Sequence, residues 1–403
     1  MKNKKKNFSY INHLSNPIIK NFFLIKNEKI TKKCVKDIFK NLEFSRNNLH
    51  FLSKNFKFNF NIDQLKRFNK FKSILIVGMG GSVLGANAIY QFLGKKEKKK
   101  FTFFDNLKEN NFENISKKNT LFIVISKSGN TIETLTNLNL LLKFKINKLN
   151  TIIVTENEKN ALNDFAKKRK ILLIEHKKYI GGRYSVLSEV GMIPAYFMNL
   201  DINKFRKNLL DYLTTKKKLF LKESTNKLAQ FYLSKKYNSI IFLNYCPQLE
   251  QFTFWCQQLL AESLGKKNKG LMPIVSVAPK DHHSLLQLYL DGPKDKLFYI
   301  FSSKDAGNLK SQNNLFGKKF NFLNNKSISK VVNAQKEALI KSFKKRKIPF
   351  REFHVNHFSE ACIGELFSYF MLETVIIGEL IKVNPFDQLA VEEVKFNTKK
   401  ILS

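Results

Sequence analysis

Two hydrophobic patterns alternate along the chain. SILIVG (73–78), TLFIVIS (120–126), NTIIVTEN (150–157) and KILLIEH (170–176) carry short apolar runs, too brief for helices and without period-two alternation. Strands covered on both faces read this way. Between them, stretches such as SVLGANAIYQFLG and NTIETLTNLNLLLKF return apolar residues at helical spacing. Strands alternating with helices of about 10 to 15 residues imply βαβ crossovers and a doubly wound parallel sheet. After a lysine-rich interval, KKKLFLKESTNK (216–227), a second series begins. NSIIFLNYC (238–246) leads into the helix LEQFTFWCQQLLAESLG, ended by Gly265, and the strands LMPIVSVA (271–278) and KLFYIFSS (296–303) follow. The pattern thus predicts two similar α/β halves, with a boundary near 200 to 225.

The first 60 residues contain no glycine and space their Phe and Leu as a helix would. They are expected to form a helical packing extension. Residues 361–381 are the most apolar stretch but include Glu365, Glu373 and Glu379. Three carboxylates argue against a membrane span and for a buried amphipathic helix. The tail after Asn384 is expected to fold back over one of the halves.

Composition changes this picture little. With 43% hydrophobic and 13% aromatic residues, 403 residues can bury a real core and hold two domains. The net charge of +39 raises the question of nucleic acid or an anionic membrane. Only seven of the 71 basic residues are Arg, the lysines run from end to end, and no zinc-finger, RRM-like or basic-region pattern is present. Excess Lys, Asn, Ile and Phe is what an AT-rich genome encodes. No nucleic-acid partner is therefore expected, although the charge would draw anionic small molecules weakly. Four cysteines without a CxxC pair, and a start with no apolar h-region, suit a reduced, cytoplasmic protein.

The chemistry lies in the polar turns. GMGGS (78–82) follows a strand and opens a helix, aiming backbone N–H groups at a place where an anion could sit. It is neither GxGxxG, since position 83 is Val83, nor a P-loop. SKSGNT (126–131) sets Ser126, Ser128 and Thr131 around Lys127 at the start of the next helix. An N-cap with Glu133 nearby accounts for one hydroxyl, not three. Three hydroxyls with backbone amides make a phosphate cradle.

GMGGS, SKSGNT, GGRYS (181–185), ESLGK (262–266), DHHS (281–284) and GELIKVNPFDQLAVEEVK (378–395) occur in this order. Together they resemble the glucose-6-phosphate isomerase (phosphoglucose isomerase) family, over about residues 60 to 400. The resemblance implies an α/β fold of two doubly wound parallel-sheet sugar isomerase (SIS) domains, here 61–215 and 216–403. The helical extension 1–60 would precede them, and C-terminal helices would form a tail. It implies reversible conversion of glucose 6-phosphate to fructose 6-phosphate in glycolysis and gluconeogenesis, through a cis-enediolate, without metal or cofactor.

The family's roles would place the phosphate at Ser82, Ser126, Lys127, Ser128 and Thr131, closed over by Gln388. Gly80, Gly81 and Gly182 would form the turns. Glu262 would be the base, with Glu250, at the start of the same helix, as the alternative. Arg183 would stand beside the reacting carbons, while His283, from a neighbouring subunit of a homodimer, and Lys395 would assist ring opening. A phosphomannose or dual-specificity isomerase, or a regulator that only binds sugar phosphates, would share the fold.

Overall fold

The computed structural model describes residues 7–14, 21–94, 99–108, 115–116, 118–304, 307–313 and 316–403, with backbone alone for 21–26. Among the described residues, ten strands lie in two five-stranded sheets. The first sheet contains β2 (Ser73–Val77), β3 (Lys100–Phe104), β4 (Thr120–Ile125), β5 (Thr151–Thr155) and β6 (Leu172–Glu175), in the order β3-β2-β4-β5-β6 and wholly parallel. The second contains β7 (Ser239–Asn244), β8 (Met272–Val277), β9 (Lys296–Ser303) and β10 (Phe350–Val355) in parallel. Its outer edge is β1 (Phe8–His13), antiparallel to β10. Every residue of β4, β5 and β7 is buried, as their unbroken apolar runs predict.

Alternate residues of each strand enter different cores. Leu75, Val77, Phe122, Val124 and Ile153 form a cluster on one face of the first sheet, and Ile241, Leu243, Phe298, Ile300 and Phe350 form one on a face of the second. The opposite faces, with Ile74, Ile76, Ile123, Ile240, Phe242 and Tyr299, join one continuous core shared by both sheets. Helix Glu360–Leu380 lies in that core. Among the described residues it alone has the length and composition of a membrane span, and 94% of its apolar window is buried within this chain. It is buried nearly all round rather than on one stripe. Glu365 pairs with Lys217 and Glu373 with Arg351, while Glu379 reaches the surface.

The N-terminal region differs from the expectation of a helical extension. Asn21–Asn41 is helical, but Phe8–His13 is a strand of the second sheet. The cause is long-range. Arg351, fully buried on β10, donates from Nε to Asn12 Oδ1 at 2.9 Å and clasps Glu373 with two bonds of 2.9 Å. Tyr10 stacks on Phe220 at 3.6 Å between ring centroids. Tertiary partners of this kind override local spacing. Residues 1–6 and 15–20 of the expected extension lie outside the described residues.

Both sheets reverse direction beside their first parallel strand, β2 in one and β7 in the other. Ligands of open α/β sheets bind where such a reversal separates the loops at the carboxyl ends of the strands. In the first sheet the loops at that point, after β2 and β4, are GMGGS and SKSGNT.

Candidate active site

The glycine turn after β2 is a junction. Gly80 has φ +51°, and a Cβ there would lie 2.7 Å from Gln258 Nε2. A Cβ on Gly81 would lie 2.3 Å from the carbonyl of Gly182 and 2.6 Å from the nitrogen of Arg183. One on Gly78 would meet the carbonyl oxygen of Ile125, just before Ser126, at 2.8 Å. Backbone this close to backbone admits only glycine. The turn therefore binds the SKSGNT loop, the GGRYS segment and helix Glu250–Leu264 into one site. Gly182 differs: a Cβ there would meet nothing within 4 Å, and its part is the backbone carbonyl against which Gly81 packs.

Arg183 is fully buried, and every face of its guanidinium is engaged. Nε donates to Ser263 Oγ at 2.8 Å, and Nη2 donates to the carbonyls of Pro385 (2.6 Å) and Asp387 (3.0 Å). Nη1 donates to Glu262 Oε2 at 3.1 Å and to Gln388 Oε1. Glu262 is held from the other side by Gln258 Nε2, 2.8 Å from Oε1. Three segments of the sequence motif set, GGRYS, ESLGK and FDQ, thus converge on one guanidinium. Helical rise puts Glu250, twelve positions earlier, about 18 Å away along the axis.

In the SKSGNT loop the hydroxyls of Ser126 and Thr131 are 2.8 Å apart. Thr131 is the N-cap residue of helix Ile132–Leu141, yet its side chain makes no capping bond, leaving the first-turn amides directed into the loop. Ser128 is exposed, and its Oγ accepts from the Asn130 amide at 3.3 Å. Lys127 stands 3.8 Å from Glu156. Burial holds the Lys127 ammonium below its usual range; Glu156 opposes that shift, and the positive charge of Arg183 adds to it. His176, buried close by, is pushed down to about 4, first by burial and then by the charge of Lys127. Ser82 closes the turn after β2 and is half-buried.

Two expected residues are not gathered here. Lys395 lies on helix Ala390–Leu402, which has no buried residue, and pairs instead with Glu392 at 2.7 Å. His283 is exposed at the end of the short turn Lys280–His282. The tail does fold back over residues 384–388, as the bonds from Arg183 require, but not beyond them.

The sequence reading missed Gln258, Ser263, Tyr184 and Lys266. Gln258 precedes Glu262 by four residues and so shares its helix face, a signal that was there to be used. Tyr184 donates to Pro385 O at 3.1 Å. The acceptor carbonyls of Pro385 and Asp387 leave no mark in a sequence.

Comparison with known proteins bears on the whole chain. The phosphoglucose isomerase family model matches residues 62–403. The chain is 30% identical over 352 residues to glucose-6-phosphate isomerase of Methanocaldococcus jannaschii, covering 83% of this chain and 85% of that one. A hypothetical protein of Thermus thermophilus superposes with TM-score 0.83 at 21% identity, over 98% of this chain and 100% of the other. A glucose-6-phosphate isomerase of Chlamydia trachomatis superposes with TM-score 0.78 at 19% identity, over 98% and 88%. At these identities the two structures establish the shared fold.

Proposed function

The chain belongs to the phosphoglucose isomerase family, and from that premise we infer how its own residues carry the family's reaction. It is an isomerase that interconverts D-glucose 6-phosphate and D-fructose 6-phosphate. The observation that carries the assignment of roles is the contact of Arg183 with Glu262 beside the glycine turn.

The phosphate sits at the start of helix Ile132–Leu141, among Ser126, Ser128, Thr131 and Lys127, with Ser82 from the neighbouring turn. Uncapped amides and a partly desolvated ammonium support this, since an arriving dianion gains more there than in water. Gln388 closes over it. In the open-chain sugar, Glu262 takes the proton from C2 and returns it to C1, a task one carboxylate can perform from one side of the enediolate. Gln258 and Arg183 fix its two oxygens, which is the orientation such a base needs.

Arg183 stabilises the enediolate oxygens. Its Nε and Nη2 are committed to Ser263 and backbone carbonyls; only Nη1 has side-chain partners that can yield to substrate. The guanidinium is therefore already aimed and need not reorganise as charge develops.

His283 and Lys395 assist ring opening. Neither lies against Glu262 in a single chain, which fits a homodimer in which His283 serves the neighbouring site. Leu389, Val394, Phe396 and Ile401, all more than two-thirds exposed around helix Ala390–Leu402, give a second copy apolar surface to cover. Four free thiols, three of them buried, suit the cytoplasm.

The experiment is a coupled assay of the purified chain with glucose 6-phosphate and mannose 6-phosphate. The reading expects turnover of the glucose ester with a higher kcat/KM. Tight binding of both esters with no turnover would make the chain a binding protein and sink it.

A further inference from the structure

Lys266 is the second residue past helix Glu250–Leu264, and its side chain is 17% exposed. Its ammonium donates to the carbonyls of Asn384 and, at 2.6 Å, Asp387, and pairs with Asp387 Oδ1 at 2.8 Å. Asn384 Nδ2 meets the other oxygen of Asp387 at 3.0 Å, and Asn384 Oδ1 accepts from the Phe386 amide at 3.0 Å. From the opposite side Arg183 takes the carbonyls of Pro385 and Asp387 and the side chain of Gln388. Two cations thus share the Asp387 carbonyl. Burial near Arg183 disfavours the Lys266 charge, and the bond from Lys266 holds the Asp387 carboxyl below its usual range. The bond to the Asp387 carboxylate works the other way and favours the charged ammonium, offsetting part of the repulsion from Arg183.

We propose that the Lys266–Asp387 pair is a latch that sets the 384–388 loop against Arg183, so that Lys266 and Asp387 act as positioning residues for both Arg183 and Gln388. This rests on the roles given above to Arg183, Glu262 and Gln388. The latch links the helix that carries Glu262 to the loop that carries Gln388. The sites for proton transfer and for phosphate closure therefore share one fastener. Loosening it would let the carbonyl acceptors of Nη2 drift and tilt the guanidinium plane away from the enediolate, and small misplacements of this sort are costly to rate.

The test compares the wild type with Lys266→Met, Asp387→Asn, the double variant and Lys266→Arg, by steady-state kinetics and thermal melting. Each of the two disruptive single variants is expected to lower kcat about tenfold and raise KM severalfold while the melting transition stays cooperative. The double variant should be no worse than the worse single one, because both remove the same contact. Lys266→Arg, which keeps the charge, should recover part of kcat. Unchanged kcat/KM in Asp387→Asn, or penalties that multiply in the double variant, would overturn the latch. If Lys266→Met fails to fold, the nearly isosteric Asp387→Asn and the Lys266→Arg recovery decide alone. A wild type with no isomerase activity would instead sink the functional reading.

Discussion

Glu262→Gln removes a proton acceptor and the negative charge paired with Arg183 while keeping the shape of the side chain, and the structure fixes how large each consequence should be. Arg183 keeps four of its five acceptors, and an amide oxygen can replace the carboxylate oxygen at Nη1. The new amide nitrogen would face Gln258 Nε2, donor against donor. Gln258 Oε1, however, is buried without a hydrogen-bond partner, so a flip of that amide restores the pairing. The fold should lose about 1.5 to 3 kcal/mol, the value of a bond to a charged group, less than the roughly 3 to 5 kcal/mol of an orphaned buried charge because the four other acceptors of Arg183 remain. Turnover should fall by about 10² to 10⁴, a loss of about 3 to 5 kcal/mol in transition-state stabilisation, with KM nearly unchanged. The assay follows glucose 6-phosphate formed from fructose 6-phosphate with a coupled dehydrogenase, alongside Glu250→Gln as control. Normal kcat in Glu262→Gln, or collapse in Glu250→Gln instead, would refute the reasoning.

Other outcomes follow from single observations. Gly81→Ala must force a methyl group against the Gly182 carbonyl, so it should cost about 1 to 3 kcal/mol and lower the melting temperature. Lys127→Ala should raise KM about tenfold or more before kcat falls, and should weaken inhibition by inorganic phosphate in parallel. His176 titrates lower folded than unfolded, from 6.5 to about 4, so its contribution is complete above pH 6.5 and is lost as pH falls towards 4. That amounts to about 3 kcal/mol by pH 4, and melting curves of a His176→Gln variant should be flatter across this range. Mixing the Glu262→Gln and His283→Ala proteins should regenerate roughly a quarter of the competent sites if each site draws on two chains. No recovery on mixing would place both groups in one chain.

The strands were legible because parallel strands buried on both faces must be apolar at every position, as β4 and β7 are. The SKSGNT loop stood out because hydroxyls and glycine concentrate where a strand ends. β1 was not: its partners, Arg351 and Phe220, lie more than 200 residues away, and FSYINH carries no strong alternation of its own. Around Arg183 the charged side chains announced themselves, while the carbonyls of Pro385 and Asp387 that hold its guanidinium are backbone and therefore silent in sequence. Lys395 shows the reverse limit, a recognisable motif position on a helix that buries none of its residues against the described part of the chain.

Proton transfer through an enediolate at Glu262 is tested most directly by isomerising fructose 6-phosphate in D₂O over many turnovers and reading C1 and C2 of the sugars by NMR. Deuterium accumulating at C2 of glucose 6-phosphate with the wild type, and its loss together with turnover in Glu262→Gln, is the predicted result. Complete isomerisation with no solvent deuterium at either carbon would mean that hydrogen passes directly between them, and would contradict the account.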